Sequence, residues 1–196
     1  MKSILSNSFL IIAGLAFFTF LFSPVFKNWI GEGQSSFLSN HKGLDYEANL
    51  EKSGVKLITG GKPNDHFVPV VVTGNLAFLS GHGPKQENGQ PIKGKVGKDL
   101  TIDEGYHAAR VTMISLLSSL RDEIGSLDKV KRIVKVHGMV NCTTDFTQQP
   151  AVMNGATALL TEIFGDMGKP ARAAVGMGSL PNNIAVEIEM IVELRP

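Results

Sequence analysis

The chain has 196 residues, of which 43% are hydrophobic and 19% are charged, a composition typical of an ordinary globular protein with one core. Its formal net charge of +1 does not indicate a surface for nucleic acids. Cys142 is the one cysteine, which excludes an intramolecular disulfide, and the scattered histidines do not have the spacing of a zinc site.

The first distinct segment is an uncharged, almost wholly apolar run at residues 9–26. At about 18 residues, this run has the minimum length that spans a bilayer. Lys2 precedes it, and Lys27 and Trp29 follow it, which is an interfacial pattern. A cleaved signal peptide and an uncleaved signal anchor both fit, but no cleavage site of small residues follows the run directly. We expect residues 1–30 to be an uncleaved anchor in contact with the membrane. The domain that follows is then exported, membrane-anchored or periplasmic rather than cytoplasmic.

The folded domain is predicted to begin after a polar tether. Residues 31–43 are rich in Gly, Ser, Asn and Gln, which favours a flexible linker. The domain itself is expected at residues 44–196. Asp45 as an N-cap and Gly54 as a stop predict a short helix at its start. Residues 55–58 alternate briefly between apolar and polar, which predicts an edge strand.

Two apolar segments then predict a β-hairpin. Residues 68–72 and 76–80 flank the turn sequence Thr-Gly-Asn. We expect the second strand to end in a turn at residues 80–84. Gly81 in that turn would let another backbone or a ligand approach closely.

Two long helices follow in the sequence. Thr101 and Glu104 have the spacing of a capping box, and apolar residues at helical spacing follow them as far as the stop at Gly125. A second helix is predicted at residues 150–164, with proline just inside its start and Gly165 as its end.

Residues 131–141, between these helices, are predicted to form the central strand. Alternation is expected to direct Val134, Val136 and Val140 toward the helices. The opposite face would then carry Lys131, Ile133, Lys135, His137 and Met139. The order of the elements predicts an α+β fold with both helices packed on one face of the sheet.

Near the C-terminus, residues 169–195 form two apolar segments around a Pro-Asn-Asn turn, which predicts a hairpin-like strand pair. The apolar face of the second strand carries Val186, Ile188, Met190, Val192 and Leu194, and its other face carries Glu187, Glu189, Ile191 and Glu193. The first strand begins with Arg172, one cation among small and apolar residues. Its planar guanidinium suits a carboxylate partner, although an arginine at a strand end is more often a solvated rim residue.

The same segment carries a longer pattern: Pro-Ala-Arg-Ala-x-Val-x-x-Gly-x-Leu, five further residues, and then Val-Glu-Ile. This pattern resembles the signature of the YjgF/RidA family of small trimeric imine and enamine deaminases. Residues 73–81 are similar to the early strand pair of that family, and Val140-Asn141-Cys142 with Phe146 is similar to its middle segment. The resemblance covers roughly residues 67–194. It implies a chorismate-mutase-like fold, a mixed sheet with two helices on one face, and a homotrimer with clefts between its subunits.

The resemblance also implies roles for individual residues. Arg172 would hold the carboxylate of a small-molecule substrate, and Glu187 would position or deprotonate water. A carboxylate is a better base where partial burial raises its pKa. The remaining residues of the cleft that the resemblance implies are Ser80, Gly81, Asn154, Phe67 and the backbone at Ala174. The alternatives are an exposed strand residue for Glu187, a polar residue on a helix face for Asn154, and a hydroxyl bonded within its own turn for Ser80.

Three positions depart from the family. Phe67 stands where a tyrosine is frequent, Ala174 where deaminases often have cysteine, and His82 where glutamine is common. Arg172, the residue that would bind a carboxylate, is retained, but these departures leave the identity of the substrate undetermined.

The resemblance implies hydrolysis of reactive imines or enamines to a 2-oxo acid and ammonia, with neither metal nor cofactor. The alternative is a non-catalytic module of the same fold that binds small carboxylates. A ribonuclease activity is also reported in the family, but a near-neutral chain with one tryptophan and two tyrosines offers little for RNA binding.

Overall fold

The structure is a computed structural model that describes residues 45–58 and 65–196. Its elements in chain order are α1 Tyr46–Lys52, β1 Val70–Thr73, β2 Leu76–His82, α2 Ile102–Ile124, β3 Val130–Asn141, α3 Gln149–Phe164, β4 Ala171–Met177 and β5 Val186–Leu194. The strands form one sheet in the order β1-β2-β5-β3-β4. Only the β3–β4 pair within it is parallel. This mixed sheet with two long helices confirms the predicted α+β fold.

Helix α2 begins at the predicted capping box. The Thr101 hydroxyl accepts a hydrogen bond from Glu104 N at 3.2 Å, and the Glu104 carboxylate accepts one from Thr101 N at 2.8 Å. Two otherwise unpaired backbone donors are thereby satisfied. The helix ends at Gly125, whose φ of 85° favours glycine.

The two long helices cover one face of the sheet. On β5, Val186, Ile188 and Val192 are fully buried beneath them, as the alternation predicts. The face of the sheet that carries Glu187 and Glu189 is the opposite one, and we call it the open face. It includes residues with large exposed side chains, namely Val71, Phe78 and Val175.

The predicted faces of β3 are wrong at its beginning. Ile133 is fully buried, whereas Val134 is 37% exposed. The pairing of β3 with β5 shifts register between Ile133 and Lys135. Because one irregular residue reverses the alternation on either side of it, Ile133 and Val136 both face the helices.

The predicted C-terminal hairpin is also wrong. Strand β4 pairs in parallel with β3, and β5 pairs antiparallel with β3 and β2. Therefore β3 lies between β4 and β5, and β5 rather than β3 is the middle strand. The Pro181–Asn183 segment is a 3-10 turn that joins two strands that are not neighbours.

The first hairpin is confirmed, because β1 pairs antiparallel with β2. The turn predicted at residues 80–84 is not where β2 ends, since the strand continues to His82 through a bulge. Residues 55–58 do not form the predicted strand. Val55 N instead donates a hydrogen bond to the Ser53 hydroxyl at 3.2 Å, within the turn that follows α1.

Helix α1 is confirmed with its predicted cap. The Asp45 carboxylate accepts a hydrogen bond from Ala48 N at 2.7 Å. Within residues 45–58 and 65–196, no helix combines the length and the apolar character that crossing a bilayer requires. The anchor predicted at residues 9–26 lies outside these described ranges.

Candidate functional site

Arg172 lies near the start of β4, on the face of the sheet that the helices cover. Its register partner on β3 is Val136, which is fully buried under the helices. The Arg172 Nη1 atom donates to Asn154 Oδ1 at 2.9 Å and to Thr157 Oγ1 at 3.0 Å, both on α3. Helix α3 therefore fixes the guanidinium at the edge of the sheet.

The Nε and Nη2 atoms of Arg172 make no hydrogen bond to any other residue in the described part of the chain. A guanidinium with one nitrogen occupied still presents two parallel N–H donors to a carboxylate. Because Nη1 is held, the orientation of those donors is set before an anion binds.

Thr157 is the part of this arrangement that sequence reasoning missed. It lies three residues after Asn154, so both side chains lie on the same side of α3. The spacing of these two polar residues on one side of the helix was the available signal. Asn154 was predicted to contact substrate, but in the structure its side-chain oxygen Oδ1 accepts a hydrogen bond from Arg172.

Ala174 follows Arg172 on the same face of β4, since alternate residues share a face. Its register partner is Gly138 on β3. A Cβ atom at Gly138 would lie 2.3 Å from the Met153 Cε atom, so the methionine side chain packs directly on this glycine. The small residue at position 138 therefore lets Met153 of α3 pack close to the sheet at this register.

Glu187 lies on the open face of the sheet. Its side chain is half-buried, and its Oε1 atom is 2.1 Å from the place that a Cβ atom at Gly81 would occupy. Only glycine at position 81 permits this close packing. Burial raises the pKa of Glu187 above the ordinary value of 4.5, and the negative charge of Glu189 raises it further. A carboxylate in this state is suited to act as a general base.

Ser80 and Phe67 lie near the same end of β2. The Ser80 hydroxyl donates to Pro69 O at 3.2 Å, and Ser80 N donates to the same oxygen at 2.9 Å. The hydroxyl therefore makes a local structural hydrogen bond beside the β1–β2 pair, which agrees with the alternative that Ser80 does not contact substrate. Phe67, two residues before Pro69, is 56% exposed, which is unusual for so large an apolar side chain.

The predicted site residues thus fall into two groups. We call Arg172, Asn154, Thr157 and Ala174 the arginine half-site, and Glu187, Gly81, Ser80 and Phe67 the glutamate half-site. The first group lies at the β4 edge on the helix side, and the second lies on or beside β1, β2 and β5. One copy of the chain does not bring the two half-sites together.

No group of three or more His, Cys, Asp or Glu side chains that could hold a metal ion occurs within the part of the chain that the structure describes. Cys142 is buried, and its sulfur lies 3.8 Å from Gln149 Nε2. The ionisable groups at the two half-sites are the fixed guanidinium of Arg172 and the half-buried carboxylate of Glu187.

Comparison with known proteins places the chain in a family. A family model described as "YjgF/chorismate_mutase-like, putative endoribonuclease" matches residues 47–194. Protein TCP17 of Trypanosoma cruzi is 40% identical over 149 residues, which are 76% of this chain and 93% of that protein.

Two solved structures are similar over the same share of the chain. The protein Atu1372 of Agrobacterium tumefaciens, described as having unknown function, is 35% identical, with a TM-score of 0.70 over 76% of this chain and 94% of that one. A Shewanella oneidensis protein described as a "putative endoribonuclease" is 27% identical, with a TM-score of 0.72 over 76% of this chain and 99% of that one. The chain therefore belongs to the YjgF/chorismate-mutase-like family.

Proposed function

We propose that this protein hydrolyses reactive imines and enamines of small carboxylic acids, with release of a 2-oxo acid and ammonia. The observation that carries the proposal is Glu187, a half-buried carboxylate whose pKa is raised and which packs on Gly81. Arg172 supports it, because helix α3 holds its guanidinium with two donors left for a substrate carboxylate.

The chemistry needs only water and these two side chains. The enamine tautomerises to the imine, and water held by Glu187 adds to the imine carbon while the C=N electron pair moves to nitrogen. Glu187 accepts the proton of the water and returns it to the amine. Glu187 next moves the hydroxyl proton of this carbinolamine to the nitrogen, the C–N bond breaks, ammonia leaves, and the carbonyl of the 2-oxo acid forms. Arg172 keeps the substrate carboxylate in place throughout.

This site requires the arginine half-site of one copy and the glutamate half-site of another. We therefore propose a homotrimer with a cleft between adjacent copies. The exposed apolar side chains of Val71 and Phe78, which are register partners on the open face, favour such association. Monomeric soluble proteins rarely expose large contiguous apolar patches.

The alternative is a module that binds small carboxylates without turnover. Phe67 and Ala174 favour it, because neither supplies the hydroxyl or thiol that is common at these positions in deaminases of the family. The name of the family model and of the Shewanella relative suggests RNA cleavage as a third candidate. A chain of net charge +1 with one tryptophan and two tyrosines has little positive charge or aromatic surface for RNA.

The N-terminal segment at residues 1–30 is proposed to anchor the protein in a membrane and to export the folded domain. Its apolar run and its flanking lysines support this location. Fractionation of cells with and without external protease tests it: a membrane-bound, protease-sensitive domain supports export, and a protected domain contradicts it.

Ammonia release by the full chain tests the function. Enamines are generated in situ from several amino acids, and wild type is compared with Arg172→Ala and Glu187→Gln. We expect both variants to lose about 100-fold or more of the turnover, the usual scale of general acid–base catalysis. Arg110→Ala, which removes an arginine paired with Glu162 on the outer face of the helices, is the matched control and should keep its activity.

The alternatives predict different outcomes of the same experiment. No turnover with any substrate, together with 2-oxo acid binding that Arg172→Ala abolishes, would establish the binding module. Cleavage of RNA by the same preparations, at a rate that both variants retain, would contradict the proposed site altogether.

A further inference from the structure

His82 is a half-buried titratable residue that the proposed mechanism does not use. Its Nδ1 atom lies 2.7 Å from Ser80 O, and its Nε2 atom lies 2.8 Å from the Ser119 hydroxyl oxygen on α2. Because a carbonyl oxygen only accepts, the proton is on Nδ1, and Nε2 of the neutral ring accepts from Ser119. Burial lowers the pKa of His82 below its ordinary value of 6.5, and this effect is larger than the opposing effect of the hydrogen bond to Ser80. The lowered pKa keeps the ring neutral. The ring thus ties β2 to helix α2.

This tie lies at a bulge in β2. Leu79 pairs with Met190 on β5, and the next pair is His82 with Ile188. Two residues of β2, Ser80 and Gly81, therefore face one residue of β5. Without the extra residue, position 81 would face the helices and position 82 would face away from them. The bulge reverses this order and directs His82 toward α2.

The bulge also determines what Glu187 contacts. Gly81 lies against the Glu187 carboxylate so closely that a Cβ atom there would be 2.1 Å from Oε1. A shift of β2 by one residue would replace Gly81 by Ser80 or His82 at this place, and either side chain would displace the carboxylate. The position of Glu187 therefore depends on the register of β2.

We propose that the His82–Ser119 pair locks the β2 bulge and so positions the Glu187 carboxylate, which makes His82 a positioning residue for the reaction. The inference rests on the proposed function where it concerns turnover. Its structural part, the dependence of the Glu187 environment on His82, stands independently of any activity.

The test compares His82→Leu, Ser119→Ala and His82→Gln with wild type in the full chain. Leucine keeps the apolar bulk of the ring and removes both hydrogen bonds, whereas glutamine keeps one donor and one acceptor. Ser115→Ala is the matched control, since Ser115 is buried in the same helix and donates only to the backbone oxygen of Val111.

Two readouts are measured for each variant. In His82→Leu we expect kcat to fall about tenfold or more, since small displacements of catalytic groups have effects of this size or larger. The KM should stay within about threefold, because Arg172 holds the substrate carboxylate at the other half-site. The titration of the Glu187 carboxyl, followed by carbon NMR, should move toward the ordinary glutamate range. Ser119→Ala should shift both readouts in the same direction, and His82→Gln and Ser115→Ala should leave them near wild type.

The outcomes separate the inference from the proposed function. An unchanged Glu187 titration in folded His82→Leu overturns the inference, whether or not the protein is a deaminase. A shifted titration in a protein that turns over no enamine supports the inference and contradicts the proposed function. Equal effects of Ser115→Ala and Ser119→Ala would show general loosening of α2 and would also overturn it.

Discussion

The Glu187 carboxyl is in an environment that favours its protonated form, and this has a consequence for stability. A pKa raised in the folded state means that the folded state binds the proton more tightly than the unfolded state. The stabilising contribution of the proton is fully present below the unfolded value and is lost as the pH rises through the folded value. At neutral pH the ionised Glu187 therefore lowers the free energy of unfolding.

Glu187→Gln, which resembles the protonated form, is therefore expected to raise the free energy of unfolding at neutral pH. The difference from wild type should shrink as the pH falls through the raised pKa of Glu187 toward the ordinary glutamate value of 4.5, and it should be smallest below that value. Urea denaturation across this pH range measures it. Glu123→Gln, at an exposed position of α2, is the control and should leave the free energy of unfolding within about 0.5 kcal/mol of wild type. A variant that is less stable than wild type at neutral pH would contradict the assigned environment of Glu187.

Thr157 is proposed to affect substrate binding through its hydrogen bond with Arg172. Thr157→Val keeps the shape of the side chain and removes the acceptor at 3.0 Å from Arg172 Nη1. One hydrogen bond of this kind contributes about 1 kcal/mol, so we expect about a fivefold weaker affinity for a 2-oxo acid by calorimetry. Thr157→Ser should restore the affinity. Thr161→Val, one turn further along α3, removes a hydroxyl that bonds only to a backbone oxygen and should leave the affinity unchanged. Wild-type affinity in Thr157→Val would show that Asn154 alone holds the guanidinium.

At the scale of elements, the contact between α2 and α3 depends on Gly155. A Cβ atom there would lie 2.0 Å from the backbone oxygen of Tyr106 on α2, and backbone atoms cannot move aside as a flexible side chain can. Gly155→Ala is therefore expected to cost about 1–3 kcal/mol of unfolding free energy through overpacking. Gly178→Ala is the matched control, since nothing lies within 4 Å of the added atom. If Gly155→Ala and Gly178→Ala are equally stable in thermal denaturation, α2 and α3 accommodate the added methyl group without loss of stability, which contradicts the prediction.

Which elements could be predicted from the sequence depended on how local their causes are. The capping box of Thr101 and Glu104 and the alternation around Ile188 act within a few residues, and the structure has both. The insertion of β3 between β4 and β5 is a long-range choice that no local pattern records. The bulges at Val134 and Gly81 could not be predicted for a related reason, since an extra residue in one strand is defined only by its pairing with the partner strand.

The candidate site shows the same division. Arg172 and Glu187 were found through a family pattern, whereas the partners that hold them, Thr157 and Gly81, act through the packing of helix on strand and strand on strand. Gly81 itself was predicted as a place of close approach, but its contact turned out to be the Glu187 side chain. Such contacts depend on tertiary geometry, which sequence spacing does not determine.

At the scale of the whole molecule, the two half-sites lie on opposite faces of one sheet. Arg172 faces α3 at the β4 edge, and Glu187 faces away from the helices on the middle strand. A catalytic cleft that uses both groups must therefore combine them from two copies. Head-to-tail contacts that close into a ring repeat one such cleft between each pair of neighbours.

This arrangement predicts complementation between two inactive variants. Arg172→Ala chains retain Glu187, and Glu187→Gln chains retain Arg172. After the two are unfolded, mixed in equal amounts and refolded together, about a quarter of the clefts should carry both intact groups and restore about a quarter of the wild-type ammonia release. A mixture of Arg172→Ala with the double variant should remain inactive, because no chain in it supplies the guanidinium. If mass spectrometry shows mixed trimers and no activity returns, Arg172 and Glu187 do not meet across an interface between copies, because random mixing must create clefts in which both groups are intact.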